Sequence, residues 1–340
     1  MQKGWDKEFI PNEPVICITK SSLRRFSLPT NKPSSALRSR KMKLTKKTLK
    51  NSHRKHTIRK YKRTSKKSIK RLNRIIAPAV GLSNIGTNCY VNSGIQFILC
   101  VPELNSYFLE ENFTKGFQNT EGIKFCRAIA EVYKKLFTSQ QAASISFEPM
   151  TDLCPTGQND THEFFTKNLF PCLSNEYGVA NNSIQKKAIV EFLFGGVLAN
   201  KITCKGCNKV SIKHDTFLDL SLAIYGNTLE ECLDQYFIEE ELNENEAYFC
   251  ERCNSFQSAI KEVKIHQCPK YLILHLKRLL PGERKITKQI KYTKDLDLTK
   301  FAVGDVEGKY ELQAVCIHIG CGIGGHFITF AKRGDQVSLL

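Results

Sequence analysis

Gly81-Leu82-Ser83-Asn84-Ile85-Gly86-Thr87-Asn88-Cys89-Tyr90-Val91-Asn92-Ser93 is the stretch on which the reading of this 340-residue chain turns. It follows a basic, polar segment and runs into Gly94-Ile95-Gln96-Phe97-Ile98-Leu99, whose apolar spacing suits a helix. The Gly/Asn turn thus delivers one cysteine to a helix N-terminus. A free thiol has a pKa of about 8.5, and the oriented N–H groups of a helix start favour its thiolate. Asn84, five residues upstream, is placed to donate to a developing oxyanion. These residues alone leave a second reading open, a buried cysteine in a turn, because free cysteine is usually a small core residue.

Near the other end stands Tyr310-Glu311-Leu312-Gln313-Ala314-Val315-Cys316-Ile317-His318-Ile319-Gly320, then Gly324-Gly325-His326-Phe327-Ile328-Thr329-Phe330. Alternating apolar residues on either side of a glycine-rich turn predict a β-hairpin, with His326 at the mouth of its second strand. A cysteine early and a histidine late, brought together by folding, make the constellation of a cysteine hydrolase. The histidine takes the thiol proton and returns one to the leaving amine, a role worth roughly 10²–10⁴-fold in rate.

Two further cysteine pairs, Cys204-Lys205-Gly206-Cys207 and Cys250-Glu251-Arg252-Cys253, have the spacing of paired zinc knuckles. Each pair bites one edge of a tetrahedron, and polar turn residues flank both, as in a zinc ribbon. Four thiolates leave no open coordination position, so the predicted Zn²⁺ is structural. The fourteen cysteines are therefore read as reduced, which places the chain in the nucleus or cytoplasm.

The net charge of +18 is uneven. Residues 1–80 hold 24 Lys/Arg against three acids, a net +21, whereas the other 260 hold 27 bases and 30 acids, a net −3. Residues 37–74 carry eighteen Lys/Arg and no acid, so 1–78 is read as a disordered basic arm. Within it, Val15-Ile16-Cys17-Ile18 is either a short strand or a docking motif. The arm fits nuclear import or unspecific contact with nucleic-acid phosphates, since Tyr61 is the sole aromatic between Phe26 and Tyr90. Its removal is expected to spare catalysis on a small substrate. No secretory signal follows Met1, and no apolar run reaches membrane-span length.

Between the two halves of the site, residues 102–177 read as mostly helical, with Phe125, Ile129, Val132, Tyr133 and Leu136 as a core stripe. Gln158-Asn159-Asp160-Thr161-His162-Glu163-Phe164 starts another helix, with Asp160 as N-cap and Glu163 completing a capping box. Phe217–Leu222, Ala259–Val263 and Tyr271–Leu276 read as strands, the last one central and buried.

The Cys89, Asp160 and His326 segments, in that order, resemble the three signature boxes of the ubiquitin-specific proteases. The middle region, including Glu240-Glu241-Leu242-Asn243 and Leu274-His275-Leu276-Lys277-Arg278, is most similar to the nucleolar and histone-directed branches. The resemblance implies an α+β, papain-like fold over 79–340: a thumb (about 81–190), zinc-ribbon fingers (about 195–265) and a palm (about 266–340). It further implies that Cys89 attacks the carbonyl of ubiquitin's terminal glycine, with His326 and Asn84 as partners. Asp160 and Glu163 then face ubiquitin's basic tail. Two departures stand out. Gly86-Thr87-Asn88-Cys89 replaces the family's Gly-Asn-Thr-Cys order, and only fourteen residues follow His326, among them one acid, Asp335, in a turn. The chain is therefore read as truncated or divergent at this end, or as working through a Cys–His dyad whose histidine is oriented by another group. That leaves an alternative, a catalytically impaired ubiquitin-binding module carried to chromatin or RNA by the basic arm.

Overall fold

The computed structural model describes residues 15–20, 75–84, 86–114, 120–138, 159–174, 188–243, 248–280, 284–304, 306–321 and 324–340. Strand β1 (Val15–Lys20) comes first among the described residues. Helices α1 (Cys89–Ile98), α2 (Pro102–Leu109) and α3 (Thr120–Thr138) follow. Next is a helical run that opens as α4 (Thr161–Glu163), widens into a π-helix over Phe164–Leu169 and closes as α5 (Phe170–Ser174), after which comes α6 (Ile189–Phe194). The predicted stripe on α3 is buried at all five positions. It packs in an aromatic cluster where Phe125 meets Phe164 and Tyr133 meets Phe108, at ring separations of 6.2 and 5.0 Å.

Beyond α6 the chain turns to strands: β2 (Gly196–Cys204), β3 (Val210–Phe217) and β4 (Leu220–Ala223), then helix α7 (Leu229–Tyr236). The strand expected over Phe217–Leu222 is in fact two, broken at Leu218-Asp219 as the chain passes from one sheet to another. Short strands β5 (Glu240–Leu242), β6 (Tyr248–Cys250) and β7 (Ser255–Gln257) lead to β8 (Ala259–Gln267). Strands β3-β2-β8-β5 form an antiparallel four-stranded sheet, and β6 pairs with β7 beside it.

The larger sheet collects β9 (Tyr271–Lys277) and, past the short pair β10 (Leu279–Leu280) and β11 (Arg284–Lys285), β12 (Asp295–Asp297), β13 (Lys309–Gly320), β14 (Gly325–Arg333) and β15 (Gln336–Leu339). Its order is β15-β14-β13-β1-β9-β4, with β12 also on β13. The hairpin expected around the glycine-rich turn is β13–β14, and Tyr271–Leu274 is buried as predicted. One placement departs from the sequence reading. Val15–Lys20, assigned to the basic arm, is an interior strand: Ile16 pairs with Leu274 on one side and Val315 on the other. Ile16 and Ile18 are almost wholly buried there, which is why an apolar strand cannot stay with a solvated arm. The chain also rejoins the fold slightly before Pro78, since Ile75 O accepts from Asn105 Nδ2 at 2.8 Å. Residues 21–74 lie outside the described residues, and so does the prediction of disorder there.

Candidate active site

Cys89 is the first residue of α1, as the turn before it predicts. Gly86 adopts φ of +71°, a left-handed conformation that glycine enters freely, so the Gly-Thr-Asn order still makes a tight turn. The helix behind the thiol is fully buried and fixed to the large sheet. Thr329 Oγ1 of β14 donates to Ser93 O at 2.9 Å. One turn on, the buried Arg333 guanidinium donates to Gln96 O and Oε1 at 2.8 and 3.0 Å. Burial lowers the pKa of Arg333, yet its pairing with a carbonyl and an amide costs less than leaving such a charge unmatched. These contacts set where the sheet meets the start of α1.

There a cleft of about 420 Å³ opens, lined by Cys89, Asn159, Asp160, His162, Glu163, His275, Leu279, His318, Gly325 and Phe327. Three of the residues singled out from sequence, Cys89, Asp160 and Glu163, are thus brought together. Asp160 caps α4, accepting from His162 N at 2.7 Å. Burial raises the pKa of its carboxyl against the opposing hydrogen bond. Glu163 does not close the predicted capping box but pairs with Lys167 one turn on. The capping box is formed instead at α7, between Thr228 and Glu231.

Asn84 and His326 sit differently. Both are exposed, and neither lines this cleft. His326 pairs across the hairpin with Ile319, whereas His318 pairs with Phe327. Alternation along the strand puts those two pairs on opposite faces. His326 nevertheless directly follows Gly325, a lining residue, and stands near enough that its charge helps depress the pKa of His318.

Sequence reasoning missed a polar network under the cleft. His162 Nε2 pairs with Asp219 Oδ2 at 3.0 Å, and its ring stacks on that of His275 at 3.8 Å and 11°. Ser221 Oγ donates to Asp219 at 3.1 Å and meets His275 Nδ1 at 3.0 Å. Burial works to raise the pKa of Asp219, but the hydrogen bond and charge of His162 outweigh it and hold the carboxyl below its usual range. Burial, then the neighbouring His162, drives His275 down to about 3, so it is neutral. His162 and Asp219 lie 57 residues apart, and no local pattern announces such a pair.

At the far end of the small sheet, the sulfurs of Cys204, Cys207, Cys250 and Cys253 all lie within 4.8 Å of one another. The Cys204–Cys253 and Cys207–Cys250 separations are 3.9 and 3.6 Å. Tetrahedral Zn–S bonds of about 2.3 Å require sulfurs about 3.8 Å apart, so this donor set fits the ion. Each knuckle ends in an asparagine at positive φ, Asn208 at 56° and Asn254 at 51°, which folds both loops back alike.

The sequence family described as "Ubiquitin carboxyl-terminal hydrolase" matches residues 80–338. This chain belongs to that family. Among curated hydrolases of the family, ubiquitin carboxyl-terminal hydrolase 15 of Arabidopsis thaliana is 30% identical over 276 residues, which are 75% of this chain and 30% of that protein. The human ubiquitin carboxyl-terminal hydrolase 17-like protein 6 is 30% identical over 269 residues, 76% of this chain and 67% of the relative. The chain therefore spans about a third of the Arabidopsis hydrolase. In solved structures, the fold is similar to a chain of the SAGA DUB module Ubp8/Sgf11/Sus1/Sgf73 bound to monoubiquitin, with a TM-score of 0.66, 26% identity and coverage of 79% of this chain and 67% of that one. The same module bound to ubiquitin aldehyde gives a TM-score of 0.62 at 27% identity. The mixed helices and sheets of this chain thus agree with the α+β fold expected of the family, and the four clustered cysteines with its expected zinc ribbon.

Proposed function

We propose that the chain is a cysteine deubiquitinase that hydrolyses the isopeptide bond after ubiquitin's C-terminal glycine. The observation that carries this reading is the position of Cys89, at the N-terminus of a buried helix and on the wall of a cleft that also presents Asp160 and Glu163. Family membership and the ubiquitin-bound relatives support it. His326 takes the thiol proton, and the Cys89 thiolate attacks the glycine carbonyl. Asn84 and a backbone N–H at the start of α1 hold the oxyanion. Collapse of the tetrahedral intermediate breaks the C–N bond while His326 returns the proton to the lysine amine. Water, deprotonated by the same imidazole, then hydrolyses the thioester and frees both ubiquitin and thiol. The two acids attract the basic tail of ubiquitin into the cleft.

We further infer that the four cysteines hold one structural Zn²⁺, which supplies local folding energy to the fingers and no chemistry. The basic stretch 37–74 is read as a polyanion contact that favours nuclear or nucleolar residence and nucleosomal or ribosomal substrates. One experiment tests the central reading. A ubiquitin probe with a C-terminal electrophile should form a covalent adduct with the wild-type chain and none with Cys89→Ala. Labelling that survives the substitution would reassign the nucleophile, and a tight but purely non-covalent complex would favour the binding module.

A further inference from the structure

Asp160 and Glu163 stand on a turn that is held from outside. The α4 segment is three residues long and opens at once into the π-helix, a rare geometry found mostly as single-turn bulges. Side chains hook this turn on two sides. Thr161 Oγ1 donates to Tyr90 O, in the helix that begins with Cys89, at 3.1 Å. His162 reaches in the other direction and meets Asp219 at 3.0 Å, with the two side chains only 16% and 18% exposed. The backbone N–H of His162 also donates to Asp160 Oδ1 at 2.7 Å. The residue that Asp219 grips is thus the one that the cleft acid caps.

Asp219 itself does not line the cleft. It lies between β3 and β4, where the chain leaves the small sheet for the large one. His162 Nε2 and Ser221 Oγ bond the same carboxylate oxygen, Oδ2. Ser221 Oγ also meets Nδ1 of His275, the ring on which His162 stacks. One carboxylate therefore fixes both of the stacked rings that line the cleft with Asp160.

We propose that Asp219 is a positioning residue for the reaction: by gripping His162 it aims the first turn of α4, and so sets where Asp160 and Glu163 stand relative to Cys89. This rests on the deubiquitinase reading above. Asp219 acts on the acids that gather the substrate and not on the thiol, so its loss should appear in KM and not in kcat. Because both bonds converge on Oδ2, one acceptor oxygen suffices, and asparagine should serve where alanine does not.

The test uses the full chain, a fluorogenic ubiquitin C-terminal amide substrate, and ubiquitin binding measured in a Cys89→Ala background. Asp219→Ala is expected to raise KM about tenfold with kcat within about threefold, and to weaken ubiquitin binding about tenfold. Asp219→Asn should stay within about threefold of wild type in both. Asp160→Asn removes the acid's charge but keeps a good N-cap, and in that background Asp219→Ala should cost less than about threefold in KM, since both changes act through one turn. Should the alanine variant fail to fold by circular dichroism, Asp219→Ser, too short to reach His162 but still polar, takes its place. An unchanged KM in a variant that has lost only stability to urea would overturn the proposal. So would full additivity with Asp160→Asn, or an asparagine variant as weak as the alanine one. A wild-type chain that neither binds nor cleaves ubiquitin would overturn this inference and the parent reading together, whereas the other three outcomes overturn the inference alone.

Discussion

The cysteine cluster and the cleft are both assembled from distant parts of the chain, yet they depend on those parts in opposite ways. Each half of the cluster is a complete local unit, a CxxC turn closed by an asparagine at positive φ, and the β2–β8 pairing brings the two units together. The cleft has no complete half. Cys89 comes from α1, Asp160 from the cap of α4, His275 from β9, and His318 with Gly325 from the β13–β14 hairpin. Damage to the cluster should therefore stay local, while the cleft should register changes far from any lining residue.

The largest effect should come from the sheet's interior strand. Removing residues 1–20 should abolish the folded domain, whereas excising 24–72 while keeping β1 should leave hydrolysis of a small ubiquitin substrate within about threefold. Ile16→Ala alone should cost about 2–5 kcal/mol in urea unfolding, because it empties a packed interior site. If the 1–20 deletion proved as active as wild type, the cleft would need less of the sheet than its topology implies. Next in size is Cys204→Ser. It should release the metal and strip hydrogen-exchange protection from β6, β7 and the adjacent ends of β2 and β8, while α1 and β14 keep theirs. Protection lost equally across the molecule would erase the distinction between the two regions.

Acid should act on the cleft through its histidines. In the unfolded chain His275 and His318 protonate near 6.5, but in the fold only near 3 and near 4. Below about pH 6.5 the unfolded state binds protons that the folded state refuses, so stability is complete above that pH and falls as pH drops toward 4 and 3. The expected loss for His275 between pH 7 and pH 5 is about 1–2 kcal/mol in urea titrations, and His275→Gln should flatten that dependence. The smallest expected effect is Thr329→Val, which removes the donor to Ser93 O. It should cost about 1 kcal/mol and lower the rate at which iodoacetamide alkylates Cys89. An unaltered alkylation rate would mean that α1 holds the thiol without help from β14.

What could be read from sequence follows the same division. The knuckles, the hairpin and the helix start at Cys89 are short-range patterns, and each stands where its spacing predicts. The wedge of His318 against Gly325 and the His162–Asp219 pair depend on separations of 7 and 57 residues across tertiary contacts. They left no periodic trace. β1 was misassigned for a related reason: Val15-Ile16-Cys17-Ile18 does read as a strand, but nothing in the residues beside it names β9 and β13 as its partners. Composition describes the average of a segment, and the basic average of residues 1–80 comes from 37–74, well past this strand.

The interior position of β1 also has a consequence in time. On a translating ribosome Val15 emerges early, but its pairing partners His275 and Cys316 are made 260 and 301 residues later. At about 5–20 residues per second, that apolar strand waits roughly 13–60 s before the large sheet can close around it. Helices α1–α3 can form in the interval from their own local contacts, whereas the cleft cannot exist until the final hairpin arrives. Through most of synthesis, then, a nascent chain already carries Cys89 but not the cleft around it.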